Sequence, residues 1–167
     1  MKKSSKGFSL IELLIVVAII LIIAAIAIPN LLRSRIAANQ SSAVGSLRTL
    51  NTAEITYSST YNQGFTLTLG YLAPMPSAGN PVSTAAGLID SVLSGGTPAA
   101  MTANKSGYTF TYSPGPTDST GHVNQYNFVA NPINSSTGTN YYYTDESGVI
   151  RQNSTTVAQS SDSPIAG

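Results

Sequence analysis

From residue 8 to residue 28 the chain is apolar at every position except Ser9 and Glu12. Wound as an α-helix, those 21 residues rise roughly 32 Å, against a bilayer hydrocarbon thickness of roughly 30 Å. The pattern predicts a membrane-spanning helix. Ala25-Ile26-Ala27 imitates a small-residue signal cleavage site, but the apolar run exceeds the ~7 to 15 residues of a secretory signal and carries a carboxylate at Glu12.

The helical signal continues past Pro29. Ile36, Ala43, Leu47, Leu50, Glu54, Tyr57 and Tyr61 recur at spacings of three, four or seven and form one stripe. Leu31, Leu32, Val44 and Ile55 widen it, while Arg33, Arg35, Asn39, Gln40, Arg48 and Asn51 supply a polar side. Pro29 removes one backbone donor, so it is expected to bend the helix without ending it. One helix over residues 8–61 is therefore predicted, with residues 8–28 suited to lipid and residues 29–61 amphipathic.

After Asn62-Gln63-Gly64 the pattern changes to turns and short strands. Pro74, Pro76, Gly79 and Pro81 mark a loop, and residues 85–93 read as a short helix ending at Gly95-Gly96. Residues 108–112 and 126–129 alternate aromatic and polar side chains and read as adjacent antiparallel strands. A second pair, residues 141–144 and 149–151, flanks a turn at Asp145-Glu146-Ser147-Gly148. The Ser- and Thr-rich tail from Gln152 onward is expected to be loose. The fold class is α+β, with a long N-terminal helix packed on a small antiparallel sheet, and residues 62–167 form a globular β-rich head.

Charge sharpens this division. Three of the eight basic residues, Lys2, Lys3 and Lys6, precede the apolar run; the remaining five face seven acidic ones, a net charge of −2 for the rest of the chain. No basic cluster remains to neutralise phosphates, so nucleic acid is not an expected partner. The lysines orient the apolar helix with its N-terminus in the cytoplasm. Cysteine is absent, which removes disulfides and thiolate metal sites. His122 is the single histidine and the acids are scattered, so no catalytic residues and no cofactor are expected. The Tyr141-Tyr142-Tyr143 cluster reads as sheet packing, with surface aromatics for adhesion as the alternative.

The start of the chain carries the most specific signal. The residues Lys6-Gly7-Phe8-Ser9-Leu10-Ile11-Glu12-Leu13, followed by the apolar span and Pro29, closely resemble the prepilin signature of type IV pilins and type II secretion pseudopilins. The resemblance covers roughly the first 60 residues. It implies a leader of residues 1–7, cut between Gly7 and Phe8 by a membrane peptidase that also methylates the new amine of Phe8. It further implies assembly through Phe8 and Glu12, a helix kink at Pro29, and a pilin-like fold.

Physical chemistry supports the pairing. Glu12 lies one turn from Phe8, and the ammonium created by cleavage can neutralise a carboxylate in apolar surroundings. At about 4 Å and an effective dielectric near ~20, such a pair attracts by about 4 kcal/mol before desolvation is subtracted. A Glu12 that snorkels to the lipid headgroups is the alternative. An apolar helix leaves lipid only for another apolar surface, which identical helices provide, and a head-to-tail contact that does not close gives a helical filament. Ala18, Ala24, Ala25 and Ala27 allow close approach between such helices.

The expected function is that of a structural subunit, a major pilin, of a type IV pilus serving adhesion and motility. Its expected partners are copies of itself, the prepilin peptidase/methyltransferase, an inner-membrane assembly platform and, before assembly, membrane lipid. The precursor belongs in the inner membrane and the product in an extracellular filament. A secretion pseudopilin and a membrane-anchored or secreted monomer are the alternatives. No metal is expected; because some pseudopilins hold calcium in the head, Asp118, Asp145 and Glu146 are the oxygen ligands to weigh, at a spacing that matches no defined calcium loop.

Overall fold

A computed structural model describes residues 7–75 and 79–165. The expectations for Lys2, Lys3, Lys6 and Pro76 lie outside these residues. A single α-helix, α1 (Leu10–Tyr61), is followed by a short 3-10 turn at Leu69–Leu72 and five strands: β1 (Thr102–Lys105), β2 (Tyr108–Pro114), β3 (Tyr126–Pro132), β4 (Tyr141–Asp145) and β5 (Arg151–Asn153). The chain is α+β, and it divides into two compact units, Met1–Arg35 and Ile36–Gly167.

In the first unit the helix continues through Pro29 without a break. Its side chains from Leu10 to Ile28 are exposed apart from the half-covered Ala24. This stretch is long and apolar enough to cross a membrane.

In the second unit Ala43, Leu47, Leu50, Ala53 and Tyr57 enter one apolar cluster with the inner face of the sheet. The strands form an antiparallel meander in the order β1-β2-β3-β4-β5. Period-2 alternation turns Tyr108, Phe110, Tyr112, Tyr126, Phe128, Ala130, Tyr142 and Thr144 inward. Register reinforces this, because Phe110 sits opposite Ala130 and Tyr112 opposite Phe128, and Phe128 opposite Thr144. The Tyr112 and Phe128 rings lie 4.9 Å apart. Large side chains thus meet smaller ones or stack at a tilt, as dense packing requires.

Helix α1 stops at Tyr61 because Asn62 takes a left-handed conformation (φ 52°). Gly64 follows at φ 75°, where a Cβ would lie 2.3 Å from the carbonyl oxygen of Val123.

Several expectations are corrected. Residues 85–93 are not a helix. Ala86 and Leu88 donate their backbone N–H to the carbonyls of Tyr71 and Leu72, and Gly87 adopts φ 66°, so the donors a helix needs are used across the chain instead. Only a single turn follows, where the Asp90 carboxylate accepts from the N–H groups of Val92 and Leu93.

Strand β1 was not anticipated, since Ala103 is its one buried residue. Its signal was Ser106-Gly107, both at positive φ, the geometry of a two-residue hairpin turn. Strand β5 begins at Arg151 and not at Val149. The tail is tied down: Gln152 donates to the carbonyl of Ser163, Ile165 to that of Ile150, and the Arg151 guanidinium to the carbonyl of Asp162 at 2.9 Å.

Asn51 is buried, not on the polar side. Its amide donates to the Thr144 hydroxyl at 2.8 Å and accepts from the Tyr126 hydroxyl at 3.2 Å, which satisfies a polar side chain inside the core. Ile55, expected to widen the stripe, is exposed, because one residue beyond the buried Glu54 turns about 100° around the helix.

Candidate functional site: the N-terminal segment

The helix start is fixed by its own side chains. Ser9 precedes the first helical residue, and its hydroxyl accepts from the N–H of Ile11 at 3.4 Å. The Glu12 carboxylate reaches back to accept the Ser9 N–H at 2.9 Å. This is a capping box, and its signal, Ser-x-x-Glu before an apolar run, was present in the sequence and missed. A first-turn carboxylate also complements the positive end of the helix dipole.

The consequence is positional. Gly7 and Phe8 lie outside the helix, Phe8 is 80 % exposed, and a Cβ at Gly7 would meet nothing within 4 Å. The Glu12 carboxylate is held one residue from Phe8 along the chain, on the Ser9 amide. Pro29 lies within α1.

The acids of the second unit are arranged differently. Asp118 organises a loop: its carboxylate accepts from the N–H and hydroxyl of Thr120, the N–H of His122 and the amide of Asn124. The Thr120 hydroxyl leads these bonds in holding Asp118 well below the usual carboxylate range. Asp145 accepts from the N–H and hydroxyl of Ser147, and Glu146 from the N–H of Tyr126 at 3.4 Å. Asp145 and Glu146 share the rim of a shallow pocket with Tyr126 and Tyr143, and Asp118 does not line it. Among the described residues no three acidic, histidine or cysteine side chains gather as a metal site.

Glu54 was read only as part of the apolar stripe. It is fully buried, its carboxyl bonded to the N–H and hydroxyl of Thr66. Burial pushes it up to about 7 from the ordinary 4.5.

Comparison with known proteins bears on the same segment. Residues 2–28 match the family model of the prokaryotic N-terminal methylation motif. The chain is 54% identical over 50 residues to the type IV major pilin protein PilA of Myxococcus xanthus, covering 30% of this chain and 23% of that protein. It is 62% identical over 39 residues to the type IV wide pilus major component PilA4 of Thermus thermophilus, covering 23% of this chain and 30% of that one. The matches thus span 23% and 30% of the lengths of these relatives. No solved structure matches.

The chain thus carries a prokaryotic N-terminal methylation motif at the head of a long apolar helix, in an α+β fold. Within the matched stretch, the chain is similar to type IV pilin subunits.

Proposed function

We propose that this protein is the major structural subunit of a type IV pilus. The observation that carries the reading is the N-terminal segment, where a methylation motif leads into a helix whose apolar side chains are left exposed by the described residues. Both relatives are named as major pilus components.

In this reading residues 1–7 are a leader that a prepilin peptidase removes between Gly7 and Phe8, after which the Phe8 amine is methylated. Residues 8–28 hold the precursor in the inner membrane. They then pass from lipid to a helical homopolymer on an assembly platform, and the filament serves adhesion and motility. Residues 29–61 continue the helix and residues 62–167 form the head. The capping box leaves the Gly7–Phe8 bond in non-helical chain, as a peptidase requires, and Glu12 pairs with the Phe8 amine of a neighbouring subunit during assembly. Pro29 lets the helix bend in the packed filament.

Intact-mass analysis of filaments sheared from the native host tests this reading. The expected subunit begins at Phe8, has 160 residues (167 less the leader's seven) and carries one methyl group on its amine. A chain beginning at Met1, or beyond Ala27, overturns it.

A further inference from the structure

Glu54 occupies a buried site that contains no positive charge. Its Oε2 accepts the Thr66 N–H at 3.0 Å, and its Oε1 lies 2.6 Å from the Thr66 hydroxyl. The titratable groups that face it are all phenols. Tyr57 comes from α1, Tyr126 comes from β3 with its hydroxyl on Asn51, and Tyr112 comes from β2, its hydroxyl donating to the Thr66 carbonyl at 2.6 Å. Among the described residues the one ion pair joins Lys105 to Asp90, so Glu54 has no cation.

A carboxylate buried without a counter-ion costs several kcal/mol, whereas a neutral carboxyl in the same place satisfies its partners. The Thr66 hydroxyl donates to Oε1 and the Thr66 N–H to Oε2, and the neutral carboxyl keeps both contacts without the cost of a buried charge. The two bonds bind segment 62–68 to the helix it has just left. Ionisation draws water toward Glu54, and segment 62–68, which carries both of its bonding partners, is the part that must yield.

We propose that Glu54 is a proton-operated latch: protonated, it holds segment 62–68 closed on α1, and ionised, it releases that segment while the five-stranded sheet stays formed. The direction follows from linkage. Burial, the largest cause, raises the folded-state value to about 7, and the two Thr66 bonds and the Tyr112 hydroxyl oppose it less strongly. The folded state therefore holds the proton more tightly than the unfolded chain. The stabilisation is complete below about 4.5 and is lost as pH rises through about 7. Its full extent is on the order of 100-fold in the opening constant.

The test is amide hydrogen exchange on the full chain in detergent micelles, corrected for the intrinsic rate, at about pH 5 and about pH 9. The Thr66 amide should lose on the order of 100-fold in protection at the higher pH, while the amides of Phe110 and Phe128 on the sheet keep theirs. Glu54→Gln should show the same Thr66 protection at both values. Thr66→Val removes the hydroxyl bond that favours the ionised form, so it should move the transition to higher pH. A merely structural contact would weaken protection equally at every pH. Equal Thr66 protection in the unaltered chain at both values overturns the latch. Should Glu54→Gln fail to fold, the carboxyl carbon resonance of Glu54 in the unaltered chain decides: a midpoint near 7 supports the latch, and one near the ordinary 4.5 overturns it.

Discussion

Residues 10–28 and residues 43–57 belong to one helix, yet the first stretch leaves Ile19, Leu21 and Ile23 more than half exposed while the second buries Leu47 and Leu50 completely. Both stretches are rich in aliphatic side chains. The difference is what the rest of the chain offers them. Leu47 and Leu50 share one apolar cluster with Phe110, Tyr112 and Phe128, whereas the described residues leave the side chains of Leu10 to Ile28 exposed, apart from the half-covered Ala24. Burying one such side chain is worth about 1.5–3 kcal/mol, so the first stretch holds a large driving force that the chain itself does not use. A sheet supplies the partner in one region; under the proposed function a membrane, and then other subunits, supply it in the other.

Glu12→Gln gives the most severe test of that contrast, because it touches only the region that looks outward. Gln keeps the shape and a carbonyl able to accept the Ser9 N–H, so the helix start and membrane insertion should survive. Under the proposed pairing, the Phe8 amine of a neighbouring subunit would lose its charge partner. Orphaning one member of a buried ion pair costs about 3 to 5 kcal/mol, and subunits should accumulate in the membrane at the expense of sheared filaments. The measurement compares the two pools by quantitative immunoblot. A normal filament yield would show that Glu12 only caps the helix or snorkels to the headgroups.

The reverse test uses the inward-looking region. Leu47→Ala leaves a cavity beneath the sheet and should cost about 2 to 5 kcal/mol, read as a fall in the denaturation midpoint by the near-ultraviolet signal of the tyrosines. Ile19→Ala should leave that midpoint within about 0.5 kcal/mol of the unaltered chain. Equal losses from the two would mean that the apolar stretch supports the second unit after all.

The helix, its apolar portion and the aromatic strands were legible because each is a periodic pattern repeated over several residues. The stripe through Ala43, Leu47, Leu50 and Tyr57 and the alternation in β2 and β3 name their own buried faces. What escaped was held by contacts distant in sequence. Asn51 looks polar until Thr144 and Tyr126 enclose it. The helix-like residues 85–93 yield to the carbonyls of residues 71–73, and the loose-looking tail is fastened by Asp162, which accepts from Asn153 and Gln159. The N-terminal site was legible in its residues but not fully in its geometry. Gly7, Phe8 and Glu12 stood out as a motif, while the bond from Ser9 to Glu12 needed a helix start to be seen. Glu54 was hidden by its place in an apolar stripe, where burial and the absence of a cation give the carboxyl its character.

The smallest expected effect sharpens the comparison from the other side, by placing an ion pair where water is present. Lys105 contacts Asp90 at 2.7 Å, with the two side chains 33% and 50% exposed. The Lys105 ammonium is the first cause of the lowered Asp90 value; burial opposes it, and the N–H groups of Leu93 and Val92 add to the lowering. Solvent screening and the entropy of holding a long side chain reduce such a pair to less than about 1 kcal/mol. Lys105→Ala should therefore lower stability by no more than about that amount at neutral pH. The sign with pH is fixed by the direction of the shift. A depressed folded-state value means the contribution is present above the ordinary 3.8 and is lost as pH falls below it, so the variant and the unaltered chain should converge in acid. Asp90→Asn should cost more than Lys105→Ala, because the same carboxylate also accepts from Val92 and Leu93 at 3.0 Å each. Denaturation midpoints for both variants, at neutral pH and in acid, measure this. If Lys105→Ala proved as damaging as Glu12→Gln is for assembly, solvent exposure would not be what separates the weak pair from the strong one.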